Sequence, residues 1–217
     1  MTLHLDLSGG AAAPELEAEA PLLDLPRGAE AVGDQVELRL DYPVELRFRG
    51  APSGETLTAL TMMRLTGADV RRVTDAPAAR GAAVALAASL RWTPARTALV
   101  LGLMDASDAA AAHAVVAALL DVGDGLPERA REEDGRVVLP LLFLVGERTE
   151  IVFRRLTGAD LQAIAGGKDV LTQALARAAT LSPAEARELF DTLDGADAMG
   201  VSRVVGFLSG SGRMTGR

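Results

Sequence analysis

An internal repeat constrains this 217-residue chain more than any other feature. Arg64-Leu65-Thr66-Gly67-Ala68-Asp69 recurs as Arg155-Leu156-Thr157-Gly158-Ala159-Asp160, 91 positions later (155 − 64). Thr93-Pro94-Ala95 is then answered by Ser182-Pro183-Ala184, at an offset of 89 (183 − 94). Met104-Asp105-Ala106-Ser107-Asp108-Ala109 corresponds to Leu193-Asp194-Gly195-Ala196-Asp197-Ala198, and Val115, Val116 and Leu119 to Val204, Val205 and Leu208. One two-residue indel between hexapeptide and proline reconciles the two offsets. Four landmarks in one order point to a duplicated unit, so the chain must fold as two like halves.

Each half changes its apolar period at the hexapeptide. Before it lie strand-like runs: Val36 to Leu40, Val44 to Phe48 and Leu57 to Met63 in copy one, Val137 to Val145 and Glu150 to Phe153 in copy two. Val44-Glu45-Leu46-Arg47-Phe48 alternates apolar and polar residues, the mark of a half-buried strand. Turns are expected at Ala51-Pro52-Ser53-Gly54 and at Gly146-Glu147-Arg148. After the hexapeptide the period is helical. Thr66 and Thr157 are placed to cap helices whose third residues, Asp69 and Asp160, complement the N-terminal dipole. Ser182-Pro183-Ala184-Glu185 is a full capping box, whereas Arg96 stands in place of the glutamate after Thr93-Pro94. Ala186, Leu189, Phe190 and Leu193 fall on one helical face, as do Thr97, Val100, Leu101 and Met104. The expected fold is α+β: two tandem repeats, each a β-hairpin or small antiparallel sheet followed by about four short helices. Units of this size are marginal alone, so the copies are expected to pack together.

Composition sets the boundaries. Residues 1–34 carry seven acidic side chains (Asp6, Glu15, Glu17, Glu19, Asp24, Glu30, Asp34) against Arg27 and read as an acidic flexible arm. Repeat one is placed at 35–120, a charged Gly/Pro linker at 121–136, repeat two at 137–208 and a Gly/Ser-rich tail at 209–217. The net charge of −8 argues against nucleic-acid binding, which needs a basic surface. No run of eighteen apolar residues occurs, so no membrane partner is expected, and the start of the chain carries no secretory signal pattern. A cytoplasmic protein is expected.

Little in the sequence offers a reaction. There is no cysteine, and the two histidines, His4 and His113, are isolated, so thiolate sites, His-rich metal sites and a Ser/His/Asp triad lack their parts. The repeated pairs Asp105/Asp108 and Asp194/Asp197 invite a metal or acid/base reading. Their loops lack the further oxygen ligands of a calcium site, and helix capping explains them better. Gly166-Gly167-Lys168 lacks the strand-to-helix context of a phosphate loop and reads as a helix break. No catalytic residue, metal ligand or cofactor site is expected, and the chain reads as a binding protein rather than an enzyme. Trp92, which stands where copy two has Leu181, is either a partner anchor or a residue packed behind a helix cap.

A strand pair, an Arg-Leu-Thr-Gly-Ala-Asp-Leu segment, helices, Leu-Ser-Pro-Ala-Glu-Ala, a Leu-Asp-Gly-Ala-Asp-Ala turn and a Val-rich last helix ending in Phe-Leu run from Glu150 to Leu208. This order resembles the tail assembly chaperones of long-tailed phages, especially the Mu-like and P2-like group, with Gln35 to Leu120 as a second, more diverged instance. The resemblance implies a protein that binds the tape-measure protein or another tail protein, keeps it soluble and promotes tail-tube assembly in the host cytoplasm. The family typically has one such domain, so the tandem form departs from it. Alternatives are a structural tail or baseplate component, and a regulatory two-repeat binding protein. Partner contacts are expected at Trp92, Leu189, Phe190, Val204, Val205 and Leu208, with homo-oligomerisation left open.

Overall fold

The computed structural model describes residues 23–48, 51–121, 129–167 and 169–210. In copy one, strands β1 (Ala29–Val32), β2 (Gln35–Phe48) and β3 (Ala51–Met63) are followed by α1 (Gly67–Asp75), a 3₁₀ turn (Ala78–Arg80), α2 (Gly81–Ser89), α3 (Pro94–Leu103) and α4 (Ala106–Leu120). Copy two repeats the order: β4 (Arg131–Glu133), β5 (Arg136–Val145) and β6 (Arg148–Arg154), then α5 (Gly158–Ala165), α6 (Val170–Ala178), α7 (Pro183–Thr192) and α8 (Gly195–Leu208). The fold is α+β: among the described residues, two three-stranded antiparallel meanders are each followed by four α-helices. The two-residue indel falls between the first and second helix of each copy, where copy one carries its 3₁₀ turn.

Each sheet has a first strand that the sequence reading assigned to arm or linker. β1 pairs with β2 from Ala29↔Leu38 to Val32↔Gln35, so strand structure begins inside the segment 1–34. β4 pairs with β5 from Arg131↔Val138 to Glu133↔Arg136, inside the segment 121–136. Two-residue turns make these pairings. Asp134 and Gly135 both have positive φ (50° and 74°), as a type I′ turn requires, and Gly33 (φ 64°) takes the position a type II′ turn reserves for glycine. Short, exposed, charged strands such as Arg131-Glu132-Glu133 bury nothing and give no apolar alternation to read. The turn expected at Ala51-Pro52-Ser53-Gly54 is instead strand: Arg47↔Pro52 and Phe48↔Ala51 extend the ladder, with a register shift and a left-handed Gly54 (φ 80°) absorbing the irregularity. Residues 49–50, the segment 1–22 and the tail from 211 lie outside the described residues.

The helix starts follow from their caps. Thr66/Asp69, Thr157/Asp160 and Ser182/Glu185 each form a reciprocal capping box, while the Thr93 hydroxyl accepts the Arg96 amide with no acidic side chain to reciprocate. Asp105 and Asp194 cap α4 and α8 by accepting the amides of Ser107 and Ala196. The second aspartate of each pair is buried and faces the sheet. Asp108 accepts the amides of Asp41 and Tyr42, both at 3.0 Å. Asp197 accepts those of Leu142 and Phe143 at 2.9–3.0 Å, with Arg129 beside it at 2.9 Å. In both copies those amides belong to a bulge, between Arg39 and Val44 and between Pro140 and Val145. The repeated aspartates therefore supply the acceptors that a bulged strand cannot find across its ladder.

Each copy has its own core, copy one around Leu38, Leu60, Met62, Leu86, Val115 and Leu119, copy two around Ile151, Phe153, Leu175, Phe190, Leu193 and Val201. The copies meet at a seam. α1 of copy one lies on α7 and α8 of copy two, and Val70 is buried in copy two's core while Val73 stays with copy one's. Backbone joins them as well: Gly67 N–H donates to Leu193 O (2.8 Å) and Gly195 N–H to Leu65 O (2.7 Å), around a bridge between Thr66 and Asp194.

Candidate functional site

The seam between the copies carries a cleft. It is an open groove of about 420 Å³ whose walls come from both copies. Arg71, Thr74 and Asp75 of α1 form one side; Asp169, Val170, Leu171 and Ala174 at the start of α6 form the second; Ser202, Val205, Gly206 and Ser209 along α8 form the third.

The groove is more apolar than these residues suggest, because most of its polar side chains are already bonded to other groups of the chain. Thr74, Ser202 and Ser209 each donate their hydroxyl to the carbonyl four residues back, at 2.9, 2.8 and 2.7 Å. Asp169, left-handed at φ 61°, caps α6 by accepting the Thr172 amide and hydroxyl. Arg71 is held at 2.7 Å by Asp191 of α7, which clamps α1 onto copy two. What faces the opening is Val170, 55% exposed, with Leu171, Ala174 and Val205 beneath it. Such a cleft can take apolar side chains from one face of a helix, with Arg71 and Asp75 as a charged rim.

The acidic residues at the helix starts of both copies are held by neighbouring donors. The Arg154 guanidinium, with the Thr157 amide and hydroxyl, holds Asp160 well below the usual carboxylate range. Burial alone would raise Asp69, but bonds from Thr66 and Arg91 outweigh it and lower its pKa. Asp194 goes the other way: burial at the seam raises its pKa against the pull of the Ala196 amide and Arg64. Among the described residues no three His, Cys, Asp or Glu side chains gather as a metal site, and no helix is long and apolar enough to cross a membrane.

The residues expected to meet a partner are mostly interior. Leu189, Phe190, Val204 and Val205 are buried in copy two's core, because the stripe that matches between the copies is the one each copy needs for packing. Val205 alone of the six also reaches the groove. Leu208 is half-buried against the same core. Trp92 is half-buried behind the α3 cap, packed on copy one's core, with the Arg96 guanidinium 4.7 Å from its ring centre. The groove escaped sequence reading because its walls come from positions about 100 residues apart. A signal did exist: Gly195 replaces Ala106 at one seam position, where a Cβ would meet Leu65 O at 3.0 Å.

Comparison with protein-family models, with curated proteins and with solved structures found no match.

Proposed function

We propose that this chain is a helix-binding assembly chaperone, acting as a tail assembly chaperone for a phage or prophage tape-measure protein in the host cytoplasm. The observation that carries the binding part is the groove at the seam: an apolar cleft, open to solvent, lined by Val170, Leu171, Ala174 and Val205. Apolar clefts of this kind take the anchor residues of an amphipathic helix, and a tape-measure protein is a long succession of such helices. The motif order from Glu150 to Leu208 supports the assignment to tail assembly. Within this proposal no residue carries a reaction.

Co-expression with the tape-measure protein encoded beside it tests the reading. The partner is expected to become soluble and to co-purify with this chain, and mature particles are expected to lack the chain. A partner that neither binds nor gains solubility removes the chaperone reading. Retention of the chain in purified particles replaces it with a structural tail component.

A further inference from the structure

The duplication makes one half of each seam surface redundant. In copy one, Leu65-Thr66-Gly67 and the outward face of α1 act as a key, and in copy two the turn Leu193-Asp194-Gly195 acts as its socket. Copy two carries the same hexapeptide, yet its Thr157, Gly158 and Ala159 are exposed. Leu161, which matches Val70, is only half-buried, while Ile164, which matches Val73, is in its own core as expected. Copy one carries the matching turn Met104-Asp105-Ala106, and there Asp105, Ala106 and Ser107 are exposed. Beside that turn α3 presents Leu99 and Leu103, 49% and 46% exposed.

We propose that the chain assembles head to tail, the Leu156-Thr157-Gly158 edge and α5 of one copy docking on the Met104-Asp105-Ala106 turn and α3 of the next. The occupant is a second copy because the chain already contains the complex once, as its own seam. The charges agree. At the internal seam Arg64 sits 3.5 Å from Asp194, and the matching residues Arg155 and Asp105 are both present and both exposed. The close approach agrees too. Gly67 has no room for a Cβ, and Gly158 keeps that room at the free edge. Two differences make the contact between chains the weaker one. Gln162 and Gly102 replace the ion-paired Arg71 and Asp191, and Ala106 replaces Gly195, so the turn must give by a few tenths of an ångström. A key and a socket on different surfaces form a heterologous contact, which propagates into chains or closes into a ring. This assembly stands apart from the groove and does not depend on the chaperone reading.

Sedimentation velocity over a rising concentration series tests it, using the full chain and two blocked variants. Gly158→Leu fills the key, and Ala106→Arg fills the socket and repels Arg155. The wild type is expected to grow through dimer and trimer as concentration rises. Each variant alone is expected to stay monomeric, and an equimolar mixture to give a discrete 1:1 complex. Arg155→Glu, at an exposed side chain, is a second key-blocking variant should Gly158→Leu perturb folding, and unchanged circular dichroism and melting establish that each variant is folded. A wild type that stays monomeric throughout overturns the proposal. So does either blocked variant associating as the wild type does, which would show a symmetric contact.

Discussion

The same substitution at the two copies of the hexapeptide should have opposite effects. At Gly67 an added Cβ would sit 1.6 Å from Phe190 O and 2.7 Å from Phe190 C, both backbone atoms that cannot swing aside. Ordinary contact begins at 3.4 Å, so α1 would have to withdraw by 1.8 Å (3.4 − 1.6). That breaks the Gly67–Leu193 and Gly195–Leu65 bonds at 2.8 and 2.7 Å and lifts Val70 from copy two's core. Two buried backbone bonds at about 1 kcal/mol each, plus partial loss of a valine's burial, come to roughly 3–4 kcal/mol. At Gly158 nothing lies within 4 Å and φ is not left-handed. Alanine there removes glycine's excess unfolded freedom and gains about 0.5–1 kcal/mol. Urea unfolding followed by circular dichroism measures both variants, at a concentration low enough to keep the chain monomeric. Equal effects at the two sites would refute the docking of α1 on copy two, since the local sequences are identical.

Further expectations come from the buried acids, a strained cap and the acidic limb of stability. Asp197→Ala should cost about 3 kcal/mol in urea unfolding, because the Leu142 and Phe143 amides and Arg129 lose their shared buried acceptor. Thr180 closes α6 with a left-handed φ of 57°, and the Leu181 amide bonds back to Ala176 O, so Thr180→Gly should stabilise the fold by about 1 kcal/mol in thermal melting. Asp160 has a folded pKa below its ordinary 3.8. Its contribution is therefore present above 3.8 and lost as pH falls below it. Asp160→Asn should lower stability at neutral pH and flatten the loss on acidification, and an unaltered acid limb would contradict the Arg154 clamp.

Much of this molecule was legible in the chain, and what was hidden shares one cause. The caps at Thr66, Thr157 and Ser182 were readable because a helix start is decided within four residues. The inward stripes of α7 and α8 were readable because their period is local as well. The Asp134-Gly135 turn was equally local; it is a strong hairpin signal, but a neighbouring strand of three charged residues disguised it. The groove and the seam are pairings across about 100 residues, and no local period encodes them. Leu189 and Phe190 looked available to a partner for the converse reason, since periodicity shows that a face is apolar but not what covers it.

The proposal that the seam groove is the binding site can be tested by capture of the tape-measure protein on immobilised protein, comparing the wild type with Val170→Glu and Leu144→Glu. Val170 lines the groove; Leu144, 68% exposed on β5, does not. Capture is expected from the wild type and from Leu144→Glu, and is expected to be lost with Val170→Glu while its melting is unchanged. Capture by Val170→Glu equal to the wild type's would contradict the assignment of the groove.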